Sequence, residues 1–308
     1  MRRRMICLFL AMLMIPAFAA GEGRVFTPET TEPFSEDAEL LTIYVATILG
    51  GDCMLITLGD RSMFVDLGTD QNINEINAVI EAAGIGRVDY FFSTHPHRDH
   101  IGGFMPLVEQ GFEIGTMFTF FPHDYYGNAV MQIRAMRTAE AAGIPVVDLK
   151  TEDTVPFGNA QLTAYRLPDE RIGPEKTCND LSAMLMVRYG ECSALLSADV
   201  EYTQPTLAEL YDLKADILKF PHHGLTAMAS AFLDEISPEF VFITHGTYDT
   251  ARGQEQLKNR GYHRVAFATL GMIIMQTDGN KWIVHQEILP ERQAFYEKYM
   301  KKNSWIQP

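Results

Sequence analysis

The sequence predicts an α/β chain with two mixed β-sheets, each covered on its outer side by helices. Three observations lead there. Apolar runs of strand length alternate with segments of helical spacing from residue 39 almost to the end. The strand-like runs fall into hairpins in some places and strand–helix–strand units in others, which calls for mixed sheets. The run VDYFFST is continuous in its apolar character rather than alternating, the pattern of a strand buried on both faces.

The elements follow in order. MRRRM, an apolar stretch ICLFLAMLMIPAFA and the small-x-small step Ala17-Phe18-Ala19 read as a secretory signal over residues 1–19, cut after Ala19 or Ala20. The apolar run is short for a membrane anchor, and no cysteine follows it to carry a lipid. A secreted or extracytoplasmic protein is therefore expected, with no transmembrane segment after cleavage. Residues 20–38, rich in Pro, Gly, Thr and Glu, read as a flexible spacer. LLTIYVATIL, CMLITL and SMFVDLG are strands, INEINAVIEAAG is a helix stopped at Gly84, and VDYFFST is the buried strand. TMFTFFP and IPVVDL are strands on either side of the helix AVMQIRAMRTAEAAG. AQLTAYRL, LSAMLMVRYG and CSALLSAD read as an antiparallel meander. QPTLAELYDL, TAMASAFLDEI and GQEQLKNRG are helices interleaved with the strands ADILKF and EFVFITHG. MIIMQTDGNKWIVHQE is a hairpin turning at Asp278-Gly279. With no linker after residue 39, residues 39–289 form one domain, and 290–308 a surface helical tail.

Composition narrows the function. The chain is 308 residues long and 47% hydrophobic, enough for a large core. Its formal charge is 25 minus 40, or −15, and losing Arg2, Arg3 and Arg4 with the signal makes it 22 minus 40, or −18. Such a surface disfavours long nucleic acid and leaves a small-molecule or nucleotide-like substrate. Cys53 is a core residue, and Cys178 and Cys192 flank a hairpin out of register, with Cys192 expected opposite roughly Val187, so no disulfide is expected.

The chemistry gathers in STHPHRDHIG, residues 93–102, where three of the nine histidines and one aspartate occupy six positions after a buried strand. In extended backbone His95 and His97 point the same way and can share one metal ion. Asp99 and His100 follow the turn and can face a second. Imidazole and carboxylate together suit Zn²⁺, and also Mn²⁺ or Fe²⁺. Gly102 and Gly103 let the backbone pass close beside the site.

This HxHxDH stretch resembles the metallo-β-lactamase superfamily, whose fold is a four-layer αβ/βα sandwich. GGDCMLITLGDRSMFVDLG, NDLSAMLMVRYGECSALLSAD and the LKFPHHG stretch further resemble one branch, the hydrolase domain of the ComEC competence channel and its free-standing relatives. The resemblance implies a dinuclear, zinc-type hydrolase that attacks with a metal-bound hydroxide, most directly on phosphodiester or related ester bonds. A carboxylic ester, thioester or lactam is the alternative bond. A degenerate module that holds metal without turnover is the alternative role. The resemblance makes Asp199 a bridging ligand and Asp66 a carboxylate that orients the histidine loop. It places His222 among the ligands and His223 as a proton donor, though the two remain interchangeable at this stage. Lys219, two residues before Pro221, reads equally as a point charge for a substrate phosphate and as an ordinary surface lysine. The chain also departs from the pattern. Asn179 and Asp180 stand where many members carry a further histidine, Leu225 replaces a serine after HHG, and Arg252 stands near an expected histidine. His245 reads either as the replacement or as a core histidine on the strand EFVFITHG. His123, His263 and His285 have no partner pattern and read as structural or surface residues.

Overall fold

A computed structural model describes residues 23–120, 129–173, 176–245 and 251–300. The expected signal over 1–19, His123 and the end of the C-terminal tail lie outside the described residues.

The first half of the chain lays down β1 (Val25–Phe26), β2 (Leu41–Val45), β3 (Cys53–Leu58), β4 (Arg61–Leu67), β5 (Arg87–Ser93), β6 (Glu113–Thr119) and β7 (Val146–Asp148). The second half supplies β8 (Thr154–Phe157), β9 (Ala160–Tyr165), β10 (Met184–Tyr189), β11 (Cys192–Leu196), β12 (Ile217–Lys219), β13 (Phe240–Ile243) and β14 (Val265–Phe267). The closing hairpin, β15 (Ile273–Thr277) and β16 (Trp282–Gln286), returns to the first sheet. Among the described residues this gives a nine-stranded sheet, β1-β16-β15-β2-β3-β4-β5-β6-β7, and a seven-stranded sheet, β14-β13-β12-β11-β10-β9-β8. Both are mixed. β2, β3 and β4 run antiparallel and β4 to β7 parallel, while β8 to β11 run antiparallel and β11 to β14 parallel.

Helices cover the outer faces. Over the first sheet lie α1 (Ile73–Ala83), α2 (Arg98–Ile101), α3 (Phe104–Glu109) and α4 (Ala129–Ala142); over the second lie α5 (Gln204–Leu210), α6 (Ser230–Ile236) and α7 (Ala251–Asn259). α1 turns Ile76 and Val79 inward and stops at Gly84, whose left-handed φ of 65° closes its C-terminus. The layers are legible in the packing. One apolar cluster fills the space between the sheets, joining Ile43, Met54 and Phe92 of the first to Leu185, Leu196 and Phe242 of the second. Two further clusters lie under the helices, one at each outer face. Each such fully buried side chain contributes about 1.5–3 kcal/mol. This is the expected four-layer αβ/βα sandwich.

Three local expectations need correction. The stretch read as a flexible spacer is partly docked: Val25 and Phe26 pair in parallel with Trp282 and Ile283, Val25 is fully buried, and the Arg24 amide donates to Glu239 Oε1 at 2.9 Å. A buried apolar residue and a free sheet edge outweigh the polar composition around them. The tail is helical and largely exposed over Pro290–Met300, as expected, but it is anchored rather than frayed there, because Tyr296 is buried in the outer cluster of the second sheet. Cys192 pairs with Tyr189, and Val187 faces Ala194, so the two-residue reversal falls at Gly190-Glu191, one position later than expected. The conclusion drawn from it stands: Cys53, Cys178 and Cys192 are free and buried.

Candidate metal centre

The site forms at one edge, where β4 and β5 of the first sheet and β11 and β12 of the second all reach their C-terminal ends. Strand ends at such an edge must turn sharply, and the backbone there is strained. Asp66, Ala198, His222 and His223 adopt left-handed φ of 53°, 49°, 46° and 53°, a conformation that costs non-glycine residues about 1–3 kcal/mol each and clusters at functional sites. The loop after β5 is pressed against the end of β4. A Cβ on Gly103 would strike the Leu67 carbonyl and the Ile76 side chain, which is why the pair Gly102-Gly103 follows the histidines.

Each buried imidazole turns one nitrogen to a partner behind it and the other to the centre. His100 Nδ1 faces Asp66 Oδ2 at 2.7 Å, while its Nε2 stands 3.1 Å from Asp199 Oδ2. His223 Nδ1 faces Asp52 Oδ1 at 3.1 Å and Thr244 Oγ1 at 2.9 Å, while its Nε2 stands 3.2 Å from Asp199 Oδ2, 3.3 Å from His100 Nε2 and 3.4 Å from Asp99 Oδ2. His95 Nδ1 faces Thr94 Oγ1 at 2.9 Å, and its Nε2 is 3.0 Å from His97 Nδ1 and 3.9 Å from Asp199 Oδ2. Asp66 binds the whole loop, accepting also from the Thr94 amide at 2.9 Å and the Thr94 hydroxyl at 2.6 Å.

These donors fit divalent cations. Four ligands about 2.0–2.1 Å from a tetrahedral ion lie roughly 3.3–3.4 Å apart; His100, His223 and Asp199 present donors 3.1–3.3 Å from one another, and Asp99 adds an oxygen 3.4 Å from His223 Nε2. His95, His97 and Asp199 form a neighbouring set whose donor atoms lie within 4.8 Å of one another. Asp199 Oδ2 belongs to both sets. Asn179 Oδ1 is buried with no hydrogen-bond partner among the described residues, an orphan acceptor of the kind a cation satisfies.

Electrostatics agree with this division of labour. Burial opposes charge on His100 and His223, yet Asp199 with Asp66 raises the first well above the imidazole range, and Asp199 with Asp52 raises the second to about 10. Burial, helped by the neighbouring charge of His100, drives His95 and His97 down, so both offer lone pairs. Asp199 is held well below the carboxylate range, against its own burial, by His100, His223 and Lys219. Proton and cation therefore compete for the same Nε2 atoms of His100 and His223.

The expected residues divide as follows. His95, His97, Asp99, His100 and Asp199 converge, and Asp66 orients the loop. The two histidines after β12 exchange places: His223 joins the donors, whereas His222 Nδ1 faces Glu201 Oε1 at 2.8 Å and its Nε2 lies 3.4 Å from the Asn179 amide nitrogen. The left-handed turn explains the exchange, since it aims the two consecutive side chains to opposite sides. Lys219 neither reaches solvent nor lies open to a phosphate. It is fully buried behind Asp199. His245 sits outside the donor sets found among the described residues, packed where a Cβ on Gly50 would meet its ring. Arg252, His263 and His285 are exposed. Two residues escaped the sequence reading, Asp52 and Glu201. Asp52 is completely buried before β3, and only a charge in the apolar-flanked GGDC stretch hinted at it.

Comparison with known proteins places this geometry. A search of curated proteins returns no match. Among solved structures, the metallo-beta-lactamase fold protein YhfI from Bacillus subtilis matches with a TM-score of 0.51 at 14% identity, over 77% of this chain and 100% of that one. The CmlA beta-hydroxylase E377D mutant matches with a TM-score of 0.50 at 16% identity, over 80% of this chain; the chain spans only 54% of that protein's length. At these identities the likeness is one of fold. The model of the metallo-beta-lactamase superfamily matches residues 46–245, a span that runs from the turn before Asp52 past both donor sets to His245. With the sandwich, the strand-edge site and the HxHxDH loop in place together, the chain belongs to the metallo-beta-lactamase superfamily.

Proposed function

We propose that this chain is an exported, metal-dependent hydrolase of the ComEC-type branch, acting on phosphodiester or related ester bonds of a small or nucleotide-like substrate. The observation that carries the hydrolase reading is the sharing of Asp199 Oδ2 between the His95–His97 set and the His100–His223 set. His95, His97 and Asp199 would hold one ion, and Asp99, His100, Asp199 and His223 the other. When bound, a pair of divalent ions supplies ionised water near neutral pH and polarises a substrate oxygen, with zinc the first candidate and manganese or iron the others.

The chain's own residues do the rest. Asp66, Asp52 and Thr94 fix the imidazoles so that their donor nitrogens face inward. Asp99, whose side chain is 39% exposed, is the donor that borders solvent and therefore substrate. His222, steadied by Glu201 and partly exposed beside the His223 ring, is placed to hand a proton to a departing alkoxide or amine. The acidic balance and the signal-like leader support a small substrate met outside the cytoplasm. Among the described residues no helix is long and apolar enough to cross a membrane.

The test is a turnover screen of the metal-reconstituted mature protein with bis-p-nitrophenyl phosphate, thioester and β-lactam chromogens, beside Asp199→Ala. Turnover of the phosphodiester that vanishes in the variant supports the proposal. Preference for the thioester or lactam would move the substrate class. Equal background from both proteins on every chromogen would leave a binding module and overturn the enzyme reading.

A further inference from the structure

Lys219 ends β12, a central strand of the second sheet, paired with β11 through Leu196 and with β13 through Phe242. Ile217 faces the core between the sheets and Leu218 the outer cluster, so strand alternation aims Lys219 between the sheets at the site edge. Its side chain is fully buried. A buried ammonium must be matched by acceptors on all sides. This one forms an ion pair with Asp52 Oδ2 at 2.5 Å and donates hydrogen bonds to Ala198 O at 2.7 Å and Asp199 Oδ1 at 3.3 Å.

The pattern of oxygens is selective. Lys219 takes one oxygen from each of two carboxylates. What remains of Asp52 is Oδ1, which faces His223 Nδ1, and what remains of Asp199 is Oδ2, which faces both donor sets. We propose that Lys219 is a positioning residue: its ammonium clamps Asp52 to Asp199, so that Asp199 offers a single oxygen to both ions and Asp52 holds the His223 ring with Nε2 inward. The clamp also holds the Ala198 carbonyl, and so the left-handed residue immediately before Asp199. Without the clamp the Asp199 carboxylate is free to rotate and to chelate one ion with both oxygens.

This inference rests on the metal reading above, and the experiment separates the two. The mature chain is stripped of metal and titrated with Co²⁺, following visible absorption and the bound stoichiometry by elemental analysis, for wild type, Lys219→Met and Lys219→Arg. Lys219→Met keeps the bulk and removes the charge. The expected result is two Co²⁺ per wild-type chain, an affinity lower by ~10-fold or more in Lys219→Met with a shifted d–d spectrum, and partial recovery of both in Lys219→Arg. A Lys219→Met protein with wild-type affinity, stoichiometry and spectrum overturns the proposal, even if its melting temperature falls, because that would be a purely structural role. If Lys219→Met does not fold by circular dichroism, Lys219→Gln, one atom shorter than lysine but uncharged and still an amide donor, takes its place with the same expected direction. A wild-type chain that binds no Co²⁺ sinks the metal reading itself, and this inference with it.

Discussion

Replacing Asp66 by asparagine probes the hinge between strand and histidine loop with almost no change of shape. Asp66 is fully buried and accepts three hydrogen bonds, from the Thr94 amide, the Thr94 hydroxyl and His100 Nδ1. An asparagine keeps an acceptor for the Thr94 amide but turns its NH₂ toward the other two groups. The Thr94 hydroxyl can rotate. His100 cannot, because its ring is held from both ends. The bond to Nδ1 survives only if His100 moves its proton to Nε2, the atom that faces Asp199 at 3.1 Å. The substitution thus removes the lone pair a cation needs. Loss of a charged hydrogen bond costs about 1.5–3 kcal/mol in the metal-free protein. Loss of the outer partner of a ligating histidine lowers metal affinity by about 10–100-fold. Isothermal titration with Zn²⁺ reads the second quantity and calorimetric melting of the metal-free chain the first. Asp66→Asn with wild-type Zn²⁺ affinity would refute the argument, since it would mean that the His100 tautomer is not set from behind. A melting point that falls without a change in affinity would have the same force.

The remaining predictions concern the other assignments. His223→Ala is expected to lower bound metal from two equivalents toward one, whereas His222→Ala keeps both and loses turnover; elemental analysis beside a rate assay separates them, and the opposite outcome would restore the order read from the sequence. Burial pushes the Cys192 thiol up to about 12 and the Cys53 thiol higher still, so the native chain is expected to give no rapid reaction with Ellman's reagent at pH 8 until denaturant is added. Prompt labelling of the native chain would contradict the buried placement. Gly103→Ala must displace backbone at Leu67, an overpacking cost of about 1–3 kcal/mol, measurable as a lower midpoint in urea at unchanged slope.

How much of this could be read from the sequence depended on the distance over which residues cooperate. The HxHxDH loop is local: a buried strand, a turn and donor residue types within ten positions announce themselves. The sheets were legible for the same reason, because period and turn residues are local properties. What failed was assembly across the chain. Asp52 and His223 are 171 positions apart in sequence and meet only because the two sheets stack. Glu201 and Asn179 reach His222 from two separate loops. The choice between His222 and His223 turns on two left-handed backbone angles, which an identical pair of letters cannot express. Lys219 misled because a charged residue beside a site invites an electrostatic role toward the ligand. Its strand position, two after a core-facing Ile217, argued instead for the interior. Val25 and Phe26 were lost in polar surroundings, since edge pairing of two residues leaves no period to detect.

Apart from the closing hairpin, which returns to the first sheet, the halves of the chain build separate sheets, and the donor atoms are divided between them: His95, His97, Asp99 and His100 hang from the first, Asp199 and His223 from the second. Neither half alone owns a competent pocket. A cation captured at the rim therefore acts as a rivet through the seam, and depletion with a chelator should let the two slabs breathe apart, opening the interior to proteases from that rim.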